Sequence, residues 1–267
     1  MPGIANYFNK IYINHIGWRK RKWIFKKYLN NGQECFESRQ LEYNFKKGHK
    51  FLFEELSSAE HIFSEIFIGE CYKIEENDKK LTIIDVGSNI GFFSYYALLK
   101  CPNSFIYSIE ASPGNFKILQ TNIIENGLES NILPLNKIVS SESNKKVFYS
   151  SENPGWSSLF NERGAAGGKE IELDSIKLSS LFLSQKLNII DILKIDVEGA
   201  EYDIILNDNF LDRYKVKQIY IEADKNPRDV RFSFEELIIK LEHYYKVVNI
   251  NYIDPEYPLI HCIGYKI

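Results

Sequence analysis

Two groups of residues in this chain have types and spacings that can do chemistry. The first is Asp85-Val-Gly-Ser-Asn-Ile-Gly91 with Glu110, which stands 19 positions after Gly91 (110 minus 91). Asp85 closes the apolar run Leu81-Thr-Ile-Ile84, and Glu110 closes Phe105-Ile-Tyr-Ser-Ile109. Gly87 and Gly91 permit positive φ and let a ligand lie directly against the backbone. The apolar stretch from Phe92 to Leu99 predicts a helix whose start offers unpaired N–H groups. A carboxylate about 20 residues beyond a glycine turn is where nucleotide-binding folds grip ribose hydroxyls. The spacing D-x-G-x-x-x-G departs from the dinucleotide pattern G-x-G-x-x-G, and Asp85 would set a negative charge beside a pyrophosphate. A cationic, phosphate-free nucleoside is the ligand this arrangement predicts.

The second group is Lys194, Asp196 and Glu198 in Ile189-Ile-Asp-Ile-Leu-Lys-Ile-Asp-Val-Glu-Gly-Ala-Glu201, joined by Glu222 at the end of a later apolar run. A period of two places Lys194, Asp196 and Glu198 on one strand face, and Gly199 then breaks into a helix carrying Tyr202, Ile205 and Leu206. Polar groups at the carboxyl ends of parallel strands are where open α/β sheets place their chemistry. Asp196, Glu198 and Glu222 are therefore candidate catalytic bases. The competing role is structural, a carboxylate that caps the following helix. Clustered carboxylates also suit Mg²⁺ or Ca²⁺, so a divalent metal is a further candidate ligand, although no metal site is assigned.

The elements that must position these groups follow from periodicity. Residues 1–30 predict a helix; its basic and aromatic residues over 18–28 would reach an anionic membrane surface or a lipid-linked substrate, or else form a solvated face. Gln33 to Phe53 alternates as a β-hairpin broken at Lys47-Gly-His49. Ser57 or Ser58 caps a helix with Ile62, Phe63, Ile66 and Phe67. The charged break Glu75-Glu-Asn-Asp-Lys-Lys80 divides an extension, 1–77, from a main domain, 78–267. Pro113 to Gly127 reads as a helix with Phe116, Leu119 and Ile123 inward and Asn115 and Lys117 outward. Strands are expected at 131–139 and 146–149, and a long loop containing Trp156 at 150–168. A helix over 175–185, a strand over 217–221, a helix over 233–243 and strands over 246–251 and 261–266 complete the chain.

Composition narrows the partners. With 44% hydrophobic and 26% charged residues in 267 positions, the chain is neither largely disordered nor short of core. A net charge of −3 gives no general attraction to nucleic acid. Cys35, Cys71, Cys101 and Cys262 lack metal or disulfide spacing, which fits a reducing cytoplasm. The five histidines show no mutual spacing. The sequence shows neither a bilayer-spanning run nor a signal-peptide core, so a soluble cytoplasmic protein is expected.

With IIDVGSNIGFFS, SIEASPGNF, ELDSIKL and ILKIDVEGAE in this order, residues 60–250 resemble the FkbM family of S-adenosylmethionine-dependent methyltransferases. The run KIDVEGAE discriminates far better than the glycine turn, which class I methyltransferases share generally. The resemblance implies an α/β fold: a Rossmann-like, seven-stranded, mostly parallel sheet closed by a C-terminal antiparallel hairpin, here with an N-terminal helical and hairpin extension. It implies S-adenosyl-L-methionine as cofactor and O-methylation of a glycan, glycolipid or small-molecule hydroxyl. By position, Asp85, Gly87, Ser88, Asn89 and Gly91 would hold the methionine end, and Asp196 would be a further cofactor contact. Glu110 would hold the ribose, and Ala111, Ser112 and Ser140 or Ser141 the surroundings of the adenine. Nucleic-acid N-methyltransferases carry a D/N-P-P-aromatic run that Asp196-Val-Glu-Gly is not, and a nicotinamide oxidoreductase is disfavoured by the glycine spacing. Methylation of a small-molecule nitrogen, or a non-catalytic scaffold in a glycan-synthesis complex, are the alternatives.

Overall fold

The computed structural model describes residues 23–30, 33–40, 49–52, 61–150, 169–227, 229–251 and 256–266. Expectations for residues 1–22, for Ser57 and Ser58, and for the loop 151–168 with Trp156 lie outside these residues. The centre is a seven-stranded sheet in the order β12-β13-β11-β10-β4-β5-β6. Its strands are β4 (Thr82–Val86), β5 (Phe105–Ile109), β6 (Ile132–Leu135), β10 (Ile189–Ile195), β11 (Lys215–Glu222), β12 (Tyr245–Asn251) and β13 (Leu259–Tyr265). β6, β5, β4, β10 and β11 run parallel, and β13 enters antiparallel between β11 and β12. The expected sheet and its closing hairpin are both present.

Parallel strands are buried on both faces, so their sequences read as near-continuous apolar runs that two-residue alternation splits between two cores. Ile83, Ile106 and Ile192 face one core, with helices α1 (Phe92–Lys100) and α2 (Pro113–Glu125). Ile84, Ile109, Leu193 and Ile195 face the other. That second core is covered by α3 (Leu178–Ser184), α4 (Glu201–Asn207), α5 (Phe210–Arg213) and α6 (Phe234–Tyr244). The segment Phe63–Ile74, read from sequence as part of the extension, packs Phe63, Ile66, Tyr72 and Ile74 into the first core. A π-helical turn, Ser64–Ile68, follows directly on the helical residues 61–63.

Four local expectations change. Residues 23–30 form a strand, β1 (Trp23–Asn30), which pairs antiparallel with β2 (Gln33–Gln40), and β2 pairs with β3 (His49–Leu52). Trp, Ile, Phe and Tyr favour a pleated strand, and Asn31-Gly32, between the paired Asn30 and Gln33, is a strong hairpin signal that the helical reading passed over. Residues 175–176 end a strand, not a helix: β9 (Lys169–Ile176) pairs antiparallel with β8 (Lys145–Ser150) and parallel with β7 (Ile138–Val139), and the helix begins only at Leu178. The span 131–139 is two strands, β6 and β7, in different sheets. Finally, Asn115 faces inward and is 3% exposed, because the buried stripe of α2 is Asn115, Ile118, Leu119, Asn122 and Ile123.

Candidate functional site

The glycine turn between β4 and α1 is held from three sides. From β5, the carbonyl of Ile109 accepts from the N–H groups of Gly87 (2.9 Å) and Ser88 (3.0 Å). From α2, the Asn122 amide donates to the Ile90 carbonyl at 2.9 Å. From beyond β5, Glu110 accepts the Asn89 N–H on Oε2 and the Ser112 N–H on Oε1, each at 2.8 Å. Asn136 then donates to the carbonyls of Glu110 (2.8 Å) and Ala111 (3.0 Å). Asn122 and Asn136 were not singled out from sequence, because the groups they hold are 32 and about 25 positions away.

The two glycines of this turn answer to packing as well as to any ligand. Gly87 has φ +74°, and a Cβ there would overlap the carbonyl oxygen of Asp196. Gly91 has φ +98°, and a Cβ would stand 2.8 Å from Leu119 Cδ1. Asn89 also takes a positive φ, 49°, which asparagine tolerates better than most residues. The hydroxyl of Ser88 is buried with no hydrogen-bond partner among the described residues.

Asp85 and Lys194 are register partners on adjacent parallel strands. Asp85 is fully buried beneath α1, and its Oδ2 accepts from Ser94 Oγ at 2.7 Å, which in turn meets Ser108 Oγ at 2.6 Å. The Lys194 ammonium lies 3.4 Å from Asp85 Oδ1 and 3.1 Å from Asp196 Oδ2, and it donates to the Gly87 carbonyl at 2.7 Å. Burial works against this cation, but Asp196 and Asp85 outweigh it and push its pKa above the ordinary lysine value. Burial raises Asp85, with Lys194 and Ser94 opposing.

The second group of acids divides into two jobs. β10 ends at Ile195, so strict alternation carries Lys194 and Asp196 to one face and then stops; Glu198 sits in a left-handed turn with φ +59°. Glu201, which sequence reading left without a role, braces that turn: its Oε1 accepts the Val197 N–H at 2.8 Å and its Oε2 the Gly199 N–H at 2.9 Å. Asp196, Glu198 and Glu222 instead line an open pocket of about 240 Å³ with Gly199, Glu201, Asp224 and Tyr257. Burial raises Glu222 well above the carboxylate range, Asp196 and then Glu65 add to it, and Lys194 opposes. Glu110 and Glu201 are each pushed up to about 7 by burial, against the backbone N–H groups they accept.

Among the described residues, no three His, Cys, Asp or Glu side chains form a set that could hold a metal ion. Ser112 caps α2, accepting from the Asn115 N–H at 3.4 Å. Ser140 is fully buried and donates to the Glu142 carbonyl at 2.9 Å, while Ser141 is fastened to Asp203 of α4. The structure thus gathers Gly87, Ser88, Asn89, Glu110 and Ser112 around one turn. Asp85, Lys194 and Asp196 form a line beside it, and Ser140 is engaged elsewhere.

The family model "Methyltransferase FkbM domain" matches residues 85–247. The methyltransferase sdnD of Sordaria araneosa is 27% identical over 208 residues, which cover 67% of this chain and 80% of that protein. The 31-O-demethyl-FK506 methyltransferase FkbM of Streptomyces tacrolimicus is 25% identical over 224 residues, covering 71% and 83%. Among solved structures, M. capricolum TrmK in complex with S-adenosyl-homocysteine aligns at 19% identity with a TM-score of 0.42, over 74% of this chain and 68% of that one.

Proposed function

Because this chain belongs to the FkbM methyltransferase family, we propose that it moves a methyl group from S-adenosyl-L-methionine to a hydroxyl of a sugar, glycan, glycolipid or related natural product. The observation that carries the reading is the Asp196, Glu198 and Glu222 pocket at the carboxyl ends of β10 and β11, beside the braced glycine turn. The name of the Streptomyces relative refers to an O-demethyl substrate, and the reading carries that oxygen chemistry to this chain.

The residues present fit the cofactor. Glu110 is a buried carboxylate at the end of β5 whose two oxygens each keep a lone pair beyond the backbone N–H they accept, which suits a pair of ribose hydroxyls. The buried Ser88 hydroxyl awaits a partner. Among the described residues, Asp196 and Glu198 stand beside the Asp85–Lys194 pair, and the net negative site favours a sulfonium. Ala111 and Ser112 flank the turn where the base would lie. Ser140, with its hydroxyl engaged, would contribute packing.

Bound S-adenosylmethionine supplies an electrophilic methyl group open to in-line displacement. The protein's share is then to hold the acceptor oxygen in line and to receive its proton. Among the pocket acids, Glu222 has the carboxylate whose raised proton affinity best matches that task, with Asp196 and Glu198 alongside. Calorimetric titration with S-adenosylhomocysteine tests the cofactor half of the reading, and absence of binding sinks it. Mass spectrometry of cell glycans and small molecules, looking for one gene-dependent methyl group, tests the acceptor half. A new methyl on nitrogen would overturn the hydroxyl assignment.

A further inference from the structure

Lys194 belongs to neither half of the site, yet it stands where they meet. It lies opposite Asp85 in the β10–β4 register and is 3% exposed, with its ammonium 6.0 Å from the centre of the Phe93 ring of α1. An ammonium taken out of water costs several kcal/mol unless it is paired and hydrogen-bonded, and an apolar side chain of similar volume would avoid that cost. Packing alone therefore does not account for a lysine here. Its neighbours do: the Gly87 carbonyl at 2.7 Å, the Val86 carbonyl at 3.4 Å, Asp196 Oδ2 at 3.1 Å and Asp85 Oδ1 at 3.4 Å. Two of these acceptors belong to the entry of the glycine turn, one to the acceptor pocket and one to the buried floor between them.

We infer that Lys194 is a positioning residue that fastens the glycine turn to Asp196, so that the nucleoside side and the acceptor side of the site are held in one register. The inference rests on reading the site as one for a methyl donor. A second consequence concerns charge. Lys194 is faced by Asp85 from β4 and by Asp196 and Glu222 from the ends of β10 and β11, so its removal leaves the site one unit more negative. The methyl donor is a sulfonium cation and its demethylated product a neutral thioether, so the two ligands respond differently to that change.

The experiment is calorimetric titration of wild-type protein, Lys194→Met and Lys194→Met/Asp85→Asn with S-adenosylmethionine and with S-adenosylhomocysteine, alongside thermal melting. Lys194→Met is expected to weaken the thioether at least tenfold and the sulfonium several-fold less, which raises the affinity ratio of sulfonium to thioether. A lysine that merely filled space would weaken both alike. The double variant restores the wild-type net charge of the site and is the one that reports where the single variant is unfolded. It is expected to return the ratio to the wild-type value while thioether binding stays at least tenfold weak. Thioether affinity within twofold of wild type in a folded variant, or equal weakening of both ligands by Lys194→Met, overturns the inference while the cofactor reading stands. Wild-type protein that binds neither ligand overturns both.

Discussion

The carbonyl oxygen of Asp196 occupies the space that a Cβ on Gly87 would need. The glycine that opens the cofactor turn is thus fixed by the end of a strand 109 positions later (196 minus 87). Gly127 has a similar φ, +64°, but nothing lies within 4 Å of its virtual Cβ. Gly127→Ala is therefore expected to cost about 1 kcal/mol, from the left-handed backbone alone. Gly87→Ala adds backbone overlap and should cost roughly 3 kcal/mol or more, read as a melting-temperature drop of about 6–12 °C at about 2–4 °C per kcal/mol. Equal drops for the two would show that the overlap is relieved at no cost.

Glu110→Ala removes the acceptor for Asn89 and Ser112 and the carboxylate offered to the ribose. Hydrogen bonds to a charged group contribute about 1.5–3 kcal/mol, so S-adenosylhomocysteine should bind roughly 10- to 100-fold more weakly by calorimetry. Unchanged affinity would remove Glu110 from the ligand site.

Stability should rise as pH falls from about 8 towards 5. Glu110 and Glu201, each at about 7 in the fold, bind protons there that the unfolded chain, near the ordinary glutamate value of 4.5, does not. The native state holds more protons in this window, so the slope of unfolding free energy against pH is negative. His261, pushed down to about 4 by burial, opposes this below about pH 6.5 but is outnumbered by the two glutamates, and Asp203, Asp174 and Asp229, with lowered values, act oppositely only below the ordinary carboxylate range. Thermal melting across pH 5 to 8 checks the sign, and a Glu201→Gln variant should flatten the dependence.

Glu222→Gln should lower turnover on the identified acceptor about 10²-fold, the usual contribution of a positioned base, while leaving S-adenosylhomocysteine affinity within threefold of wild type. The wild-type rate should climb with pH as Glu222 gives up the proton that burial and Asp196 help it keep. The variant should lose that rise. Full turnover in the variant assigns the proton to another group.

What could be read from the sequence is what short-range chemistry determines. The strand, glycine turn and helix at Leu81–Leu99, the Ser112-Pro113 start of α2 and the acid at Glu110 all carry their signals within a few residues. The family resemblance came from the same local runs and holds. Asn115 and Asn122 were hidden because periodicity gives the buried stripe of a helix but not the reason a polar residue sits in it. For Asn122 that reason is the Ile90 carbonyl in another element. Glu201 and Glu198 looked alike as acids. Both line the pocket, but Glu201 also turns back to accept the Val197 and Gly199 N–H groups, and Glu198 sits in the left-handed turn that those bonds brace, which the sequence does not tell apart. β9 was lost because it abuts a helix, although Ile171, Leu173 and Ser175 alternate with the exposed Glu170, Glu172 and Asp174.

The position of β13 has a bearing on how the chain is made. Leu259–Tyr265 is inserted between β11 and β12, although it is synthesised after both. Until those residues leave the ribosome, the hydrogen-bonding edge of β11 beside Glu222 has no neighbour, and β12 has nothing to join it to the sheet. The carboxylate pocket is therefore completed only after translation has passed residue 265. A chain halted at Asn251 should emerge as an aggregation-prone species with an open strand edge rather than as a slow enzyme.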